Sequence, residues 1–403
     1  QDAIEHYNSI LELGENLDAL RALDRLYEGQ EMWEKLADVL QRQLLLLDPD
    51  DRVNICETKY RFGQIKETKL ESPEEAIAAY RDILEMDPIH EGAREALERR
   101  LEDEDYKLEV SNILQPIYEE QAEWEKLVAV FEIQVVGHED SPTVAVELLN
   151  RIGELWGQRL GDSAKAFDAY KRAFQKDPTS EVARQELVKI CEIDEKWNDL
   201  VQLYEAAVAE DIDPSLKREI YIALARIQDT QLDNWEKAVE AYRQALVIEP
   251  DDMDSLEALE QLFTRREEWS DLLEIYRKKA ELSTDPEARE ALFFQMAYLQ
   301  EEMLKQIPEA IETYREIVSA DDTNLKALQA LDRLYSQQEA WHELADNLTR
   351  QLELTDEQSD EHVELLNRLA ELRESRLGEA GAAVETYRKV LEEDPENQHA
   401  ISS

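Results

Sequence analysis

The stretch PEEAIAAYRDILEMDP (73–88) reads as one amphipathic helix with its own start and stop. Its apolar residues recur three and four apart, a proline opens it and Asp-Pro closes it. The phrase returns as AKAFDAYKRAFQKDP (164–178), EKAVEAYRQALVIEP (236–250), PEAIETYREIVSADD (308–322) and GAAVETYRKVLEEDP (381–395). A shortened form, DAIEHYNSILELGE, opens the chain at residue 2. The molecule is therefore made of a repeated part, and the period decides the fold.

Two landmarks measure that period. Tyr7, Tyr80, Tyr170, Tyr242, Tyr314 and Tyr387 are separated by 73, 90, 72, 72 and 73 residues. Trp33, Trp124, Trp197, Trp269 and Trp341 are separated by 91, 73, 72 and 72. Both series carry one surplus of about 18 residues, in the stretch they share between Tyr80 and Trp124. Pro142, Pro178, Pro214, Pro250 and Pro286 stand 36 apart throughout. Proline is tolerated where helices start and disrupts their interiors, so the five are expected to mark equivalent helix boundaries. The repeat is then about 36 residues, and two variants alternate.

Within a repeat the spacing is helical, as in Ala238, Val239, Tyr242, Ala245 and Leu246. Two helices with short turns fill 36 residues, and a lone pair cannot bury its apolar faces. The expectation is an all-α chain of stacked pairs, an αα-solenoid.

A small residue lies 13 before a second small residue, an aromatic follows by four, and a proline usually closes the set. The sets are Gly63, Ala76, Tyr80, Pro88; Gly153, Ala166, Tyr170, Pro178; and Ala225, Ala238, Tyr242, Pro250. Two more are Ala297, Ala310, Tyr314, Asp322 and Ala370, Ala383, Tyr387, Pro395. This pattern resembles the tetratricopeptide repeat family over essentially the whole chain. The resemblance implies a right-handed superhelix of about eleven helix pairs, one continuous array over 1–403 excerpted from a longer one. The other variant departs from the family, with Leu36, Leu127, Leu200, Leu272 and Leu344 at the second small position. A tryptophan precedes each by three, and both are expected to pack in the core. The alternation resembles long bacterial arrays, including those of myxobacterial type.

The surplus falls in 88–123, expected to be an irregular repeat with an added short helix at about 90–102. The acidic turn EDED (102–105) and a helix from about 106 to 121 should follow, the latter holding Pro116.

Composition narrows the function. The formal net charge of −50 repels phosphate backbones, which argues against nucleic-acid partners and favours basic ones. Adaptation to high salt is a second source of such acidity. No run approaches the ~18 apolar residues of a membrane helix. Cys56 and Cys191 fall in distant repeats, so a disulfide is not expected and a reducing, cytoplasmic setting is favoured over the periplasm. The six histidines show no metal spacing, and no Gly-rich phosphate loop or nucleophile elbow occurs. No catalytic, metal or cofactor site is expected, and the chain reads as a non-enzyme.

The resemblance implies binding along a concave face lined by first helices. Carried onto this chain, its positions are Tyr60 and Gln64, Asn150 and Glu154, Ile222 and Arg226, Phe294 and Tyr298, and Asn367 and Glu371. Phe294 and Tyr298 stand one turn apart and are expected beside solvent. The functional expectation is an acidic scaffold that organises a multi-protein assembly, self-assembly included. The alternative is an adaptor or chaperone holding one basic peptide.

Overall fold

The computed structural model describes residues 2–357 and 359–402. Among them are 23 α-helices and no strand, as the period requires. Contacts gather into two bodies, residues 1–210 and 211–403, each a succession of helix pairs.

Two kinds of repeat alternate in both bodies. In the N-terminal body the tyrosine repeats take first helices Arg52–Thr68 and Pro142–Glu154, and second helices Asp2–Leu13, Pro73–Met86 and Ser163–Lys176. Its tryptophan repeats pair Leu17–Gly29 with Trp33–Leu46, Lys107–Glu120 with Trp124–Gly137, and Glu181–Asp194 with Trp197–Ala209. In the C-terminal body the tyrosine repeats pair Pro214–Thr230 with Trp235–Ile248, Pro286–Tyr298 with Ile307–Ala320, and Asp360–Leu372 with Ala380–Glu393. Its tryptophan repeats pair Met253–Arg266 with Trp269–Leu282 and Leu325–Gln337 with Trp341–Leu354; Gln398–Ser402 follows. Three first helices run on into π turns, at Leu155–Leu160, Leu299–Met303 and Arg373–Leu377.

The five evenly spaced prolines do not occupy one position. Pro142, Pro214 and Pro286 start first helices, where the missing N–H costs nothing. Pro178 and Pro250 follow the caps Asp177 and Glu249 of second helices, in the turns. Two series of period 72 interleave to give the spacing of 36.

Stacking supplies the core that no single pair can hold. One cluster joins Ala297, Ala310 and Tyr314 of a tyrosine repeat to Leu328, Leu331, Leu344 and Leu348 of the tryptophan repeat after it. Leu365 and Leu369 of the next repeat complete it. Each such leucine, once covered, contributes about 1.5–3 kcal/mol, and the cover comes from a neighbouring repeat. The recurring tyrosines Tyr80, Tyr170, Tyr242, Tyr314 and Tyr387 are all buried.

The tryptophans differ from expectation. Only Trp197 is buried; Trp33, Trp124, Trp269 and Trp341 are half-buried. Three of these carry a cation from the tyrosine repeat that follows: Lys69 over Trp33, Arg159 over Trp124 and Arg376 over Trp341, at 5.0, 5.5 and 5.0 Å. The leucines three residues on do lie in the core.

Turns repeat as faithfully as helices. Glu31, Ala122, Glu195, Glu267 and Glu339 each stand two before a tryptophan, with φ between 54° and 58°. A left-handed residue there reverses the chain between the two helices of the pair.

The segment 88–123 holds the short helix Glu91–Arg100. His90 Nδ1 accepts the Ala93 N–H at 3.1 Å and caps it, and Ala93, Ala96 and Leu97 are buried. Glu98 ties it onward, accepting from Tyr118 Oη at 2.9 Å and Lys126 Nζ at 2.8 Å. The EDED turn is part-neutralised, Asp103 by Arg100 and Glu104 by Lys107. Pro116 lies inside Lys107–Glu120.

Candidate functional site

The first helix of each tyrosine repeat must present one side to its partner, which leaves the residues three before and one after the small position beside the next repeat or solvent. The five helices treat these residues differently.

Tyr60 lines a cavity of about 410 Å³ with Val53, Cys56, Met86, Asp87 and His90. Its ring centroid lies 5.9 Å from that of Tyr80 and 5.2 Å from that of His90. A Cβ on Gly92 would stand 2.7 Å from Tyr60 Cζ, so the inserted helix leans directly on this ring. Burial, then the nearby Asp87 carboxylate, pushes the Cys56 thiol up from its ordinary pKa. Gln64, one turn on, is exposed.

Asn150 and Asn367 hold the same position in two bodies. Asn150 Nδ2 donates to Ser180 Oγ at 3.5 Å, and Asn367 Nδ2 donates to Val363 O at 2.9 Å. In both, Oδ1 is shielded from water and has no donor among the described residues. Such an atom costs the free energy of an unmade bond until something donates to it. Glu154 and Glu371, one turn further, are exposed.

Arg226 is exposed and Ile222 half-buried. Phe294 and Tyr298 divide. Phe294 turns inward, its ring edge-on to Tyr314 at 6.1 Å, and joins the core. Tyr298 remains 53% exposed. The apolar wall on this helix is Phe293, which lines a cavity of about 460 Å³ with Pro286, Arg289, Glu290 and Ile317. The ten positions therefore do not converge on one pocket. Cys56, His90 and Phe293 join the cavities without having been singled out in the sequence. A spacing of seven and four before the small residue places Cys56 and Phe293 on the cavity side.

Among the described residues no three His, Cys, Asp or Glu side chains gather as a metal set. No helix among them is long and apolar enough to cross a membrane.

Helix pairs of 36 residues, small residues facing a buried tyrosine, and left-handed turns define a tetratricopeptide-type array. Tetratricopeptide repeat models match residues 19–54, 220–254, 255–290 and 327–361, residues 290–323, and residues 57–90 and 363–397, together more than half of the chain. The chain belongs to the tetratricopeptide repeat family. Its models describe protein-interaction repeats, and none is of a catalytic family. No curated protein sequence matches. Among solved structures, yeast Tom70 is 16% identical, with 100% of this chain and 90% of that one covered and a TM-score of 0.27. A tetratricopeptide repeat protein from Parabacteroides merdae is 15% identical over 64% of this chain and 96% of its own, TM-score 0.27. YrrB, described as having an unusual peptide-binding site, is 14% identical over 49% and 96%, TM-score 0.26. At these scores the likeness is one of repeat type alone.

Proposed function

We propose that the chain is a non-enzymatic scaffold: an acidic array that holds several protein partners at once, basic segments among them. The observation that carries this is the repetition itself: half-buried Asn150 and Asn367 stand at one first-helix position in two separate bodies. A single-peptide adaptor needs one such place; an array that repeats it offers several equivalent ones. The formal charge of −50 favours partners that arrive on basic chains. Cys56 and Cys191 are both free, which supports a reducing compartment.

Calorimetric titration with a short lysine-rich peptide tests the reading. Scaffold behaviour is more than one peptide per chain, weak, and weakened further as salt shortens the Debye length from about 30 Å to about 3 Å. Asn150→Leu and Asn367→Leu should each remove one equivalent. A single tight site instead favours the adaptor.

A further inference from the structure

The inserted helix Glu91–Arg100 separates two helices that are otherwise consecutive neighbours in the repeat pattern, Pro73–Met86 and Lys107–Glu120. Between them lies a groove of about 490 Å³ that is distinct from the cavities on the first helices of the tyrosine repeats. Leu84, Pro88, Ile113, Pro116 and Ile117 give it an apolar floor.

Its rim is charged and unspent. Glu85, Glu109 and Glu120 line it against a single Arg81, and none of the four makes an ion pair among the described residues. Three carboxylates at one mouth repel each other and are relieved by a cation placed between them. Pro116 adds a backbone feature. Having no N–H, it deprives the Asn112 carbonyl of its donor one turn below, and Asn112 and Pro116 both belong to the groove wall. An apolar floor and an acidic rim fit one kind of occupant.

We infer that this groove binds a short segment of a partner protein in which aliphatic side chains are flanked by lysine or arginine. The aliphatic groups cover Ile113 and Pro116, and the cations sit against Glu109 and Glu120. This rests on the interaction-scaffold reading but names a site away from the first helices of the tyrosine repeats.

The probe is a short fluorescein-labelled peptide, leucines flanked by lysines, followed by anisotropy on the full chain. Ile113→Asp is expected to weaken binding at this site about tenfold, while Val247→Asp, at an exposed apolar position in the C-terminal body, leaves it unchanged. Glu109→Lys with Glu120→Lys, both at exposed positions, should exchange the preference to a peptide with glutamates in place of the lysines. Unchanged helicity by circular dichroism keeps a folding defect apart from a lost site. Binding that ignores Ile113→Asp and the charge exchange overturns the groove while leaving the scaffold reading intact. No binding of the peptide to the unaltered chain overturns the groove and the basic preference together. A dimer that Ile113→Asp dissociates overturns it in favour of a second copy as occupant.

Discussion

The Tyr80 ring lies so close to Gly63 that a Cβ added to the glycine would stand 2.6 Å from Tyr80 Cε1. The ring cannot easily retreat. It is buried, and its hydroxyl donates to Glu67 Oε2 at 2.9 Å while Arg100 holds the other oxygen of that carboxylate. The same approach recurs between Gly153 and Tyr170. At Ala225, Ala297 and Ala370 the equivalent position already carries a methyl, so the tyrosine repeats of the two bodies are packed at different closeness.

Gly63→Ala should therefore destabilise, against the usual preference of helices for alanine. Overpacking costs about 1–3 kcal/mol, and the gain in helix propensity returns at most about 1 kcal/mol. A urea midpoint shifted downward checks this. Ala225→Gly, where the methyl is accommodated, should also lower it, so the two opposite substitutions share one direction.

Glu98 should give the N-terminal body a specific acid sensitivity. Burial by itself raises its pKa, but hydrogen bonds from Lys126 and Tyr118 outweigh this and hold the carboxyl below the ordinary range. A depressed folded pKa contributes stability that is complete above the unfolded value, about 4.3, and is lost as pH falls through the folded one. Glu98→Gln should be less stable at neutral pH, and its difference from the unaltered chain should shrink below about pH 4.3. Thermal midpoints taken across that range test it.

Glu267 sits at φ 58°, a conformation that costs a side-chain-bearing residue roughly 1–2 kcal/mol and glycine almost nothing. Glu267→Gly should raise stability by about 1 kcal/mol once glycine's extra unfolded-state entropy is deducted. Glu31, Glu195 and Glu339 share the geometry, and their substitutions should act alike. A Trp269 neighbourhood that melts later in urea is the expected reading.

Neither thiol should react in the folded protein at neutral pH. Burial foremost, with Asp199 adding to it, pushes Cys191 up to about 11, and Cys56 is likewise raised by burial. The thiolate is the reacting species. An aromatic disulfide reagent should titrate no thiol on the native chain and both once it is denatured.

Much of this architecture was legible because packing in a stacked array forces the same residue type to recur. Tyr80 and its four equivalents announced themselves by spacing, since each must fill the same hole beside a small residue. What stayed hidden depends on neighbours rather than on local pattern. Glu31 and Glu267 look like ordinary surface acids, and only the chain reversal before each tryptophan shows their left-handed backbone. Trp33 and Trp341 read as core because spacing cannot show that a cation from the following repeat completes their cover. Phe294 and Tyr298 share a helical stripe, yet Tyr314 draws one inward and leaves the other in water. Prolines 142 and 178 looked equivalent because two interleaved series happened to fall at half the true period.

The cations resting on Trp33, Trp124 and Trp341 have a spectroscopic consequence. Each indole belongs to one repeat and its lid to the next, so separation of that single joint would uncover the ring and move its emission to longer wavelength. Chains keeping one tryptophan at a time would then report fraying joint by joint, and the order in which the array comes apart could be read from colour alone.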